Sequence, residues 1–240
     1  YGVFDEKRYF TGEIEPRPVE LSSVRTAITI CEDIWLPEGP PARLSARPDV
    51  ELIVNISSSP FHTGKLAERW EIVSSWARRF GKPLAYCNLV GGQDELVFDG
   101  GSFICDGRGG IIASAGQFTE ELLVADVPIG GSVEPGAPVE QVVAPSLGYP
   151  EKLFEALKLG VRDYVGKNGF KEAAIAVSGG IDSALTVAVA VAALGCERVK
   201  GVAMPSRYSS GSSLSDARLL AENHSIPLDV VPITELMEKF

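Results

Sequence analysis

The sequence predicts an α/β protein with parallel strands in two domains, and three features indicate this. Before residue 127, short runs of β-branched and aliphatic residues recur, as expected for buried strands. After residue 150, strand-like and helix-like segments alternate, which is typical of a doubly wound parallel sheet. Between them, residues 126–150 hold five prolines and four glycines without any periodicity, and we interpret them as a connector.

The connector has one alternative interpretation, which is a long loop inside a single domain. Structureless loops of more than about 15 residues are uncommon in compact folds, so the domain boundary is favoured.

The first part is predicted to form a sheet with one long helix packed on it. The helix is indicated by Leu66, Trp70, Val73, Ala77 and Phe80, which recur at spacings of three and four residues before a Gly-Lys-Pro stop. The predicted strands cover residues 26–30, 52–56, 84–89, 102–105, 111–113 and 122–127.

The second part is predicted to alternate between helices and strands. A Ser213-x-x-Asp216 pattern is typical of a capping box and predicts the start of its last helix. The predicted helices cover residues 150–167, 183–194 and 214–223, and the predicted strands cover 173–177, 199–203 and 228–233.

Composition narrows the classes of function. The chain has 240 residues, 22 basic and 32 acidic side chains and a formal net charge of −10, so no overall positive field attracts nucleic acid or anionic lipid. Its apolar runs are shorter than the roughly 20 residues of a membrane span, and no leader pattern opens the sequence. We therefore expect a soluble protein.

The four cysteines are Cys31, Cys87, Cys105 and Cys196, and none belongs to a CxxC pair. This spacing argues against a zinc site and against a disulfide scaffold. A reducing, cytoplasmic location fits best.

A glycine-rich turn, Ser178-Gly179-Gly180-Ile181-Asp182-Ser183, stands between an apolar strand and an apolar helix. The first amides of a helix lack partners and the helix dipole is positive there, so amides and serine hydroxyls can bind a phosphate. The turn lacks the lysine of a Walker loop. The alternative is a strand-to-helix turn with no ligand.

SGGIDS in this context resembles the pyrophosphate loop of the N-type ATP pyrophosphatases, which cleave ATP between its α and β phosphates. The later GVAMPSRYSSGSS stretch is similar to the corresponding segment of glutamine-dependent NAD synthetases. The resemblance implies ATP binding by residues 178–183, with Met204 beside the adenine and Asp182 as a Mg²⁺ ligand. A helix-capping carboxylate is the alternative role for Asp182.

Cys31 ends the apolar run TAITIC, at a predicted strand end. A thiol is a useful nucleophile when a neighbour raises its thiolate fraction, and an exposed strand-to-helix elbow provides such a position. Taken alone, Cys31 fits a buried, inert cysteine better than a nucleophile, and we expect the other three cysteines to be buried and inert as well. Neither His62 nor His224 has the sequence context of a Cys-His pair.

YGVFDEKRYF, CEDIW, NISSSPFHTGK and NLVGGQDELVFDGGSF together resemble the nitrilase-type glutaminase domain that is fused to NAD synthetases. Members of this family use a Glu-Lys-Cys arrangement on a four-layer αββα sandwich. The resemblance implies Cys31 as nucleophile, Glu6 as an additional active-site carboxylate, and a set of glutamine contacts. This set comprises Tyr1, Glu32, Lys65 and either Ser58 or Ser59.

In this family the general-base glutamate and catalytic lysine precede the segment that resembles the start of this chain, and a metal-binding glutamate follows the segment that resembles its end. Lys7 and Lys65 are candidates to replace the lysine, but their spacing favours neither. The resemblance implies the C-terminal half of a nitrilase-like sandwich (1–127), a linker (128–149) and the start of a doubly wound ATP pyrophosphatase domain (150–240).

The implied activity of the longer protein is that of a ligase. Glutamine hydrolysis at Cys31 supplies ammonia, ATP adenylates deamido-NAD, and ammonia displaces AMP to give NAD. Two alternatives remain, namely a nucleotide-binding fragment without turnover and another glutamine amidotransferase of the ATP pyrophosphatase class. We expect small-molecule substrates, ATP and Mg²⁺, no nucleic-acid or membrane partner, and a cytoplasmic homo-oligomer.

Overall fold

A computed structural model describes residues 8–11, 15–130, 142–209 and 211–237. These residues divide into two units. The first comprises the residues up to Val90 together with Phe98–Tyr149, and the second comprises Gly91–Val97 and the residues from Pro150 onward.

The strands of the first half of the chain are β1 (Val19–Leu21), β2 (Val24–Ile30), β3 (Leu52–Ser57), β4 (Leu84–Asn88), β5 (Val90–Gln93), β6 (Leu96–Asp99), β7 (Phe103–Cys105), β8 (Ile111–Ser114) and β9 (Val142–Val143). Among the described residues, seven of them form one sheet in the order β1-β2-β3-β4-β7-β8-β9. β2, β3 and β4 are parallel, so their carboxyl ends lie at the same edge of the sheet.

Two helices accompany this sheet, α1 (Pro40–Ser45) and α2 (Lys65–Phe80). The core of the unit lies between α2 and one face of the sheet, where Val73, Trp76 and Ala77 join buried strand residues. The helix ends as predicted, at Gly81, whose left-handed backbone directs its N–H to the carbonyl oxygen of Ala77. Alternation along β2 and β3 leaves Ile30 exposed on the other face.

The hairpin of β5 and β6 was not predicted from the sequence. Within the second unit, the N–H of Gly92 donates to Oδ2 of Asp163, with a distance of 2.8 Å between nitrogen and oxygen. A Cβ atom on Gly92 would lie 3.2 Å from the Cα atom of Gly160. Glycine at both positions therefore lets two backbones approach closely.

The second unit alternates as predicted: α3 (Tyr149–Lys167), β10 (Ala173–Ala176), α4 (Ile181–Leu194), β11 (Val199–Ala203), α5 (Gly211–Asn223), β12 (Leu228–Val230) and α6 (Thr234–Met237). Its three described strands are parallel, in the order β10-β11-β12. Val187, Ala190 and Leu194 of α4 pack with Val199 and with other buried residues. The predicted α/β class with parallel sheets is confirmed.

Two predicted details are wrong. Residues 122–127 form no strand; Leu122 and Val124 are 89% and 77% exposed, because no strand of the described residues pairs with this segment. Ser213 does not cap α5, because that helix already includes Gly211. The predicted linker contains the short strand β9, while residues 131–141 lie outside the described residues.

No helix among the described residues has both the length and the apolar character needed to cross a bilayer.

Candidate functional site

Cys31 lies at a sharp turn between β2 and a five-residue 3-10 helix, Cys31–Trp35. Its φ angle is +44°, a left-handed conformation that costs an ordinary residue roughly 1–2 kcal/mol. The N–H of Ile30 donates to Oδ2 of Asp33 over 2.8 Å, which holds the turn closed. Cys31 is partly exposed, so the turn places the predicted nucleophile at the carboxyl edge of the sheet.

The serines after β3 lie at the same edge, since Ile30 and Ile56 are opposite each other in the parallel pair β2–β3. Their exposures differ: Ser58 is exposed, whereas Ser59 is 4% exposed. Ser58 also lines a cavity of about 400 Å³, together with Cys87 and Asn88.

Lys65 is the first residue of α2. Its Nζ atom lies 3.7 Å from the ring centroid of Trp35 and 3.3 Å from Oε2 of Glu68. Because Trp35 ends the 3-10 helix that Cys31 begins, this lysine is held against the segment that carries Cys31. Glu32, in the same helix, is half-buried.

Two predicted residues of the glutamine site, Tyr1 and Glu6, lie outside the described residues. His62 is exposed and its Nε2 atom lies 3.6 Å from Oε2 of Glu68.

The cysteines expected to be inert differ in their surroundings. Cys105 is buried, and burial raises the pKa of its thiol. The expectation of burial is wrong for Cys87, which is exposed, and for Cys196, which is half-buried. Cys87 belongs to β4, where side chains alternate between the covered and the open face of the sheet.

The SGGIDS turn is organised by its two serines. Ser183 Oγ donates to the carbonyl oxygen of Gly180 over 2.9 Å, and lies 3.2 Å from Oγ of Ser178. Ser178 Oγ accepts from the N–H of Gly180 over 3.3 Å. Gly180 is the N-cap of α4, so the amides at the start of this helix have no partners within the helix.

The turn shares a cavity with the predicted adenine-side residue. Ser178 and Met204 both line a cavity of about 110 Å³, together with Pro205, Ser209 and Ser213. Met204 follows β11 directly and is 46% exposed. The carboxyl ends of parallel strands thus bring two separate sequence motifs to one place, as expected for a doubly wound sheet.

Asp182 is exposed in the first turn of α4. The cap position belongs to Gly180, and no side-chain hydrogen bond of Asp182 occurs within the described part of the chain, so the alternative role as a capping carboxylate lacks support. That part of the chain holds no cluster of three His, Cys, Asp or Glu side chains suited to a metal. One exposed carboxylate beside a predicted phosphate loop is compatible with Mg²⁺, which commonly binds through one or two carboxylates and substrate phosphates.

A buried ion pair next to Ser59 was not predicted from the sequence. Arg69 and Asp99 have no exposed side-chain surface, and their nearest charged atoms are 2.8 Å apart. The only sequence signal was the arginine itself, which lies between Leu66 and Trp70 on the apolar side of α2.

Comparison with known proteins gives two family matches. The carbon-nitrogen hydrolase family matches residues 2–133, and the NAD synthase family matches residues 153–240.

The relatives include glutamine-dependent NAD(+) synthetases of Thermotoga maritima and Aquifex aeolicus, which are 41% and 40% identical to the chain. Each alignment covers 100% of this chain, but 46% and 47% of the relative. A solved structure of glutamine-dependent NAD+ synthetase from Acinetobacter baumannii, in complex with ADP, is 35% identical with a TM-score of 0.88 and covers 100% of this chain and 44% of that one. The chain therefore spans about half the length of the relatives it matches.

Proposed function

The chain belongs to the carbon-nitrogen hydrolase family through residues 2–133, and we propose that it is part of an enzyme that makes NAD with nitrogen from glutamine. In this proposal residues 1–127 form the glutaminase domain, 128–149 the linker and 150–240 the ATP-using domain. Relatives that bear the name glutamine-dependent NAD(+) synthetase support it along the whole chain. The activity is proposed for the whole protein, since those relatives are about twice as long.

The first half-reaction takes place at Cys31. The thiol gives up its proton, the thiolate attacks the side-chain carboxamide carbon of glutamine, and the proton is passed to the amide nitrogen. The C–N bond then breaks, and ammonia leaves behind a γ-glutamyl thioester. Water then hydrolyses the thioester to glutamate and restores the thiol. Ser58 or Ser59, Lys65, Glu32 and Tyr1 would bind the substrate, with Glu6 as a nearby carboxylate.

The second half-reaction takes place at the SGGIDS turn. The carboxylate of deamido-NAD attacks the α-phosphorus of ATP, the bond to the β-phosphate breaks, and pyrophosphate leaves the acyl adenylate. Ammonia then attacks the acyl carbon and AMP departs, which gives NAD. The residues of the turn, Ser178 to Ser183, would hold the phosphates through amides and hydroxyls, while Met204 contacts the adenine.

Mg²⁺ would neutralise phosphate charge when bound, and Asp182 is the residue placed to hold it. The ADP in the Acinetobacter baumannii relative supports a nucleotide site. We further propose a cytoplasmic homo-oligomer that acts on small molecules.

The observation that carries the proposal is the left-handed turn at Cys31. A strained backbone at a non-glycine residue persists only where its surroundings hold it, and here it aims a partly exposed thiol at the edge where the serines after β3 also lie. A structural cysteine in the core, such as Cys105, needs no such conformation.

The test is Cys31→Ala in the full-length enzyme, with Cys196→Ala, at a half-buried cysteine of the second unit, as the control. Cys31→Ala should abolish NAD synthesis supported by glutamine and preserve synthesis supported by ammonium chloride. Cys196→Ala should preserve both. Equal loss of both activities in Cys31→Ala, or full glutamine-supported synthesis without this thiol, would contradict the proposed division of labour.

A further inference from the structure

A buried ion pair lies beneath the serines at the carboxyl end of β3. Nη1 of Arg69 donates to Oδ1 of Asp99 over 2.8 Å, and both side chains are completely buried. The second carboxylate oxygen of Asp99 accepts from Nε2 of Gln117, also over 2.8 Å. Both oxygens of the buried carboxylate are therefore engaged, and the position of Arg69 is fixed from one side.

The remaining donors of Arg69 converge on the Ser59-Pro60 backbone and on the hydroxyl of Ser59. Nη2 donates to the carbonyl oxygens of Ser59 and Pro60 over 2.7 and 3.2 Å. Nε donates to Oγ of Ser59 over 3.2 Å. The planar guanidinium thus sets both the backbone of this segment and the position of its buried hydroxyl.

Asn88 holds Ser59 from the side of β4. Its Oδ1 accepts from the N–H of Ser59 over 2.9 Å, and its Nδ2 donates to the carbonyl oxygen of Gly100 over 3.0 Å. The backbone N–H, backbone carbonyl and hydroxyl of Ser59 are therefore all bound by side chains from other segments.

This arrangement determines the direction in which Ser59 can donate. Arginine has only donors, so Oγ of Ser59 must accept in its bond with Arg69. Its single hydrogen is then directed away from the guanidinium. A serine hydroxyl without such a bond could rotate, and its hydrogen would have no preferred direction.

The segment that Arg69 fixes lies at the same edge of the sheet as Cys31, since Ile30 and Ile56 are opposite each other in the parallel pair β2–β3. Burial raises the pKa of the phenol of Tyr86 in β4, and Arg69 is the main group that acts against that rise.

Stability alone does not account for so many buried polar groups. Replacing a buried ion pair by apolar side chains of similar volume is often neutral or stabilising, because two charges must be desolvated. Apolar side chains could not fix the geometry of the Ser59-Pro60 segment, because they form no hydrogen bonds with its backbone.

We propose that Arg69, held by Asp99, is a positioning residue that fixes Ser59 and its hydroxyl for glutamine binding beside Cys31. The inference rests on the proposed glutaminase function and adds a determinant of glutamine affinity to it. Arg69 acts through Ser59 and does not itself touch the substrate.

The experiment uses the full-length enzyme and the variants Arg69→Lys and Asp99→Asn, with Arg79→Lys as the matched control. Arg79 lies on the same helix, but it is exposed, and within the described part of the chain its guanidinium contacts Pro37, Glu38 and Phe80. KM and kcat are measured for glutamine-supported and for ammonium-supported NAD synthesis. A second, apolar variant, Arg69→Met/Asp99→Leu, removes both charges together and leaves neither unpaired.

Arg69→Lys keeps the positive charge but loses the planar guanidinium that contacts Asp99 and Ser59 together. KM for glutamine should therefore rise at least about tenfold, while ammonium-supported synthesis stays unchanged. The apolar double variant should show the same rise, and Arg79→Lys should show none. A wild-type KM for glutamine in either the lysine or the apolar variant would overturn the proposal. Parallel loss of both activities in all Arg69 and Asp99 variants would also overturn it, because the pair would then only support folding.

Failure of the proposed function has a different signature. In that case wild-type enzyme would make no NAD from glutamine, or Cys31→Ala would still do so, whatever the Arg69 variants show.

Discussion

A Cβ atom on Gly179 would lie 2.5 Å from the carbonyl oxygen of Ser213, a separation at which neither backbone can remain in place. The φ angle of Gly179 is +79°, which L-residues rarely adopt. The glycine therefore lets the SGGIDS turn approach the first turn of α5.

Gly179→Ala should accordingly displace the turn and reduce ammonium-supported NAD synthesis by about a hundredfold, since small misplacements of a phosphate site are costly. Gly166→Ala is the matched control, because a Cβ atom there meets nothing within 4 Å. Steady-state kinetics with ATP as the varied substrate measures the effect. Unchanged kinetics in Gly179→Ala would separate the turn from ATP binding.

The stacking of Lys65 on Trp35 gives a prediction for glutamine affinity. Trp35→Leu removes the ring that holds the ammonium group, a contact worth roughly 0.5–1 kcal/mol at a partly exposed site, so KM for glutamine should rise about two- to fivefold. Trp35→Phe keeps an aromatic face and should retain most of the affinity. Equal kinetics for the two variants would show that the ring face is not what orders Lys65.

The contact between the β5–β6 hairpin and α3 gives a prediction for local stability. Gly92→Ala adds a Cβ atom 3.2 Å from the Cα atom of Gly160, and overpacking of this kind costs about 1–3 kcal/mol. Amide hydrogen exchange in α3 should therefore become faster, as measured by mass spectrometry of its peptides. Gly166→Ala in the same helix should leave exchange unchanged or slow it. Slower or equal exchange in Gly92→Ala would exclude a tight contact.

Asp49 gives a prediction for pH dependence. Its hydrogen bond from Arg47 is the main cause that lowers the pKa of this carboxyl from 3.8 to about 2. A lowered pKa in the folded state stabilises the fold above pH 4, and this contribution is lost as the pH falls from about 4 to about 2. The effect is small because Asp49 is exposed to solvent and the ion pair is screened.

Asp49→Asn should therefore lower the free energy of unfolding at pH 6, and the difference from wild type should vanish near pH 2. Urea unfolding at a series of pH values measures this. Arg47→Gln should remove most of the same pH-dependent contribution. A difference between wild type and Asp49→Asn that persists at pH 2 would mean that packing, rather than charge, is responsible.

The sequence predicts a helix or strand well when that segment alone produces the pattern of apolar residues that identifies it. The runs that became β10 and β11, and the periodic stripe of α2, each bury one side against a neighbour that also follows in sequence. Residues 122–127 have the same apolar composition, but a strand needs a partner to pair with, and composition does not supply one. The β5–β6 hairpin was missed for the opposite reason, because Gly91 and Gly92 weaken the strand signal.

The candidate sites also divide into local motifs, which the sequence reveals, and long-range contacts, which it does not. Cys31 and the SGGIDS turn are recognisable as local motifs, and the structure places both at carboxyl ends of parallel strands. Arg69 carries no such signal, since a charged residue on a helix normally faces water, and Asp99 is 30 residues away. Long-range pairing of this kind follows from the fold and not from local pattern. The sequence likewise could not show which of Ser58 and Ser59 is exposed, because that depends on how β3 pairs with its neighbouring strand.

The hairpin residues Gly91–Val97 stand in the middle of the first unit's sequence but cluster with the second unit. If the gene were divided at the connector, the two products would consequently not match the two units. The downstream product would contain Asp163 and Gly160 without Gly92, whose backbone contacts them. The upstream product would contain the hairpin without the helix on which it packs. Separate expression of the second unit would require this seven-residue stretch to be grafted back onto α3.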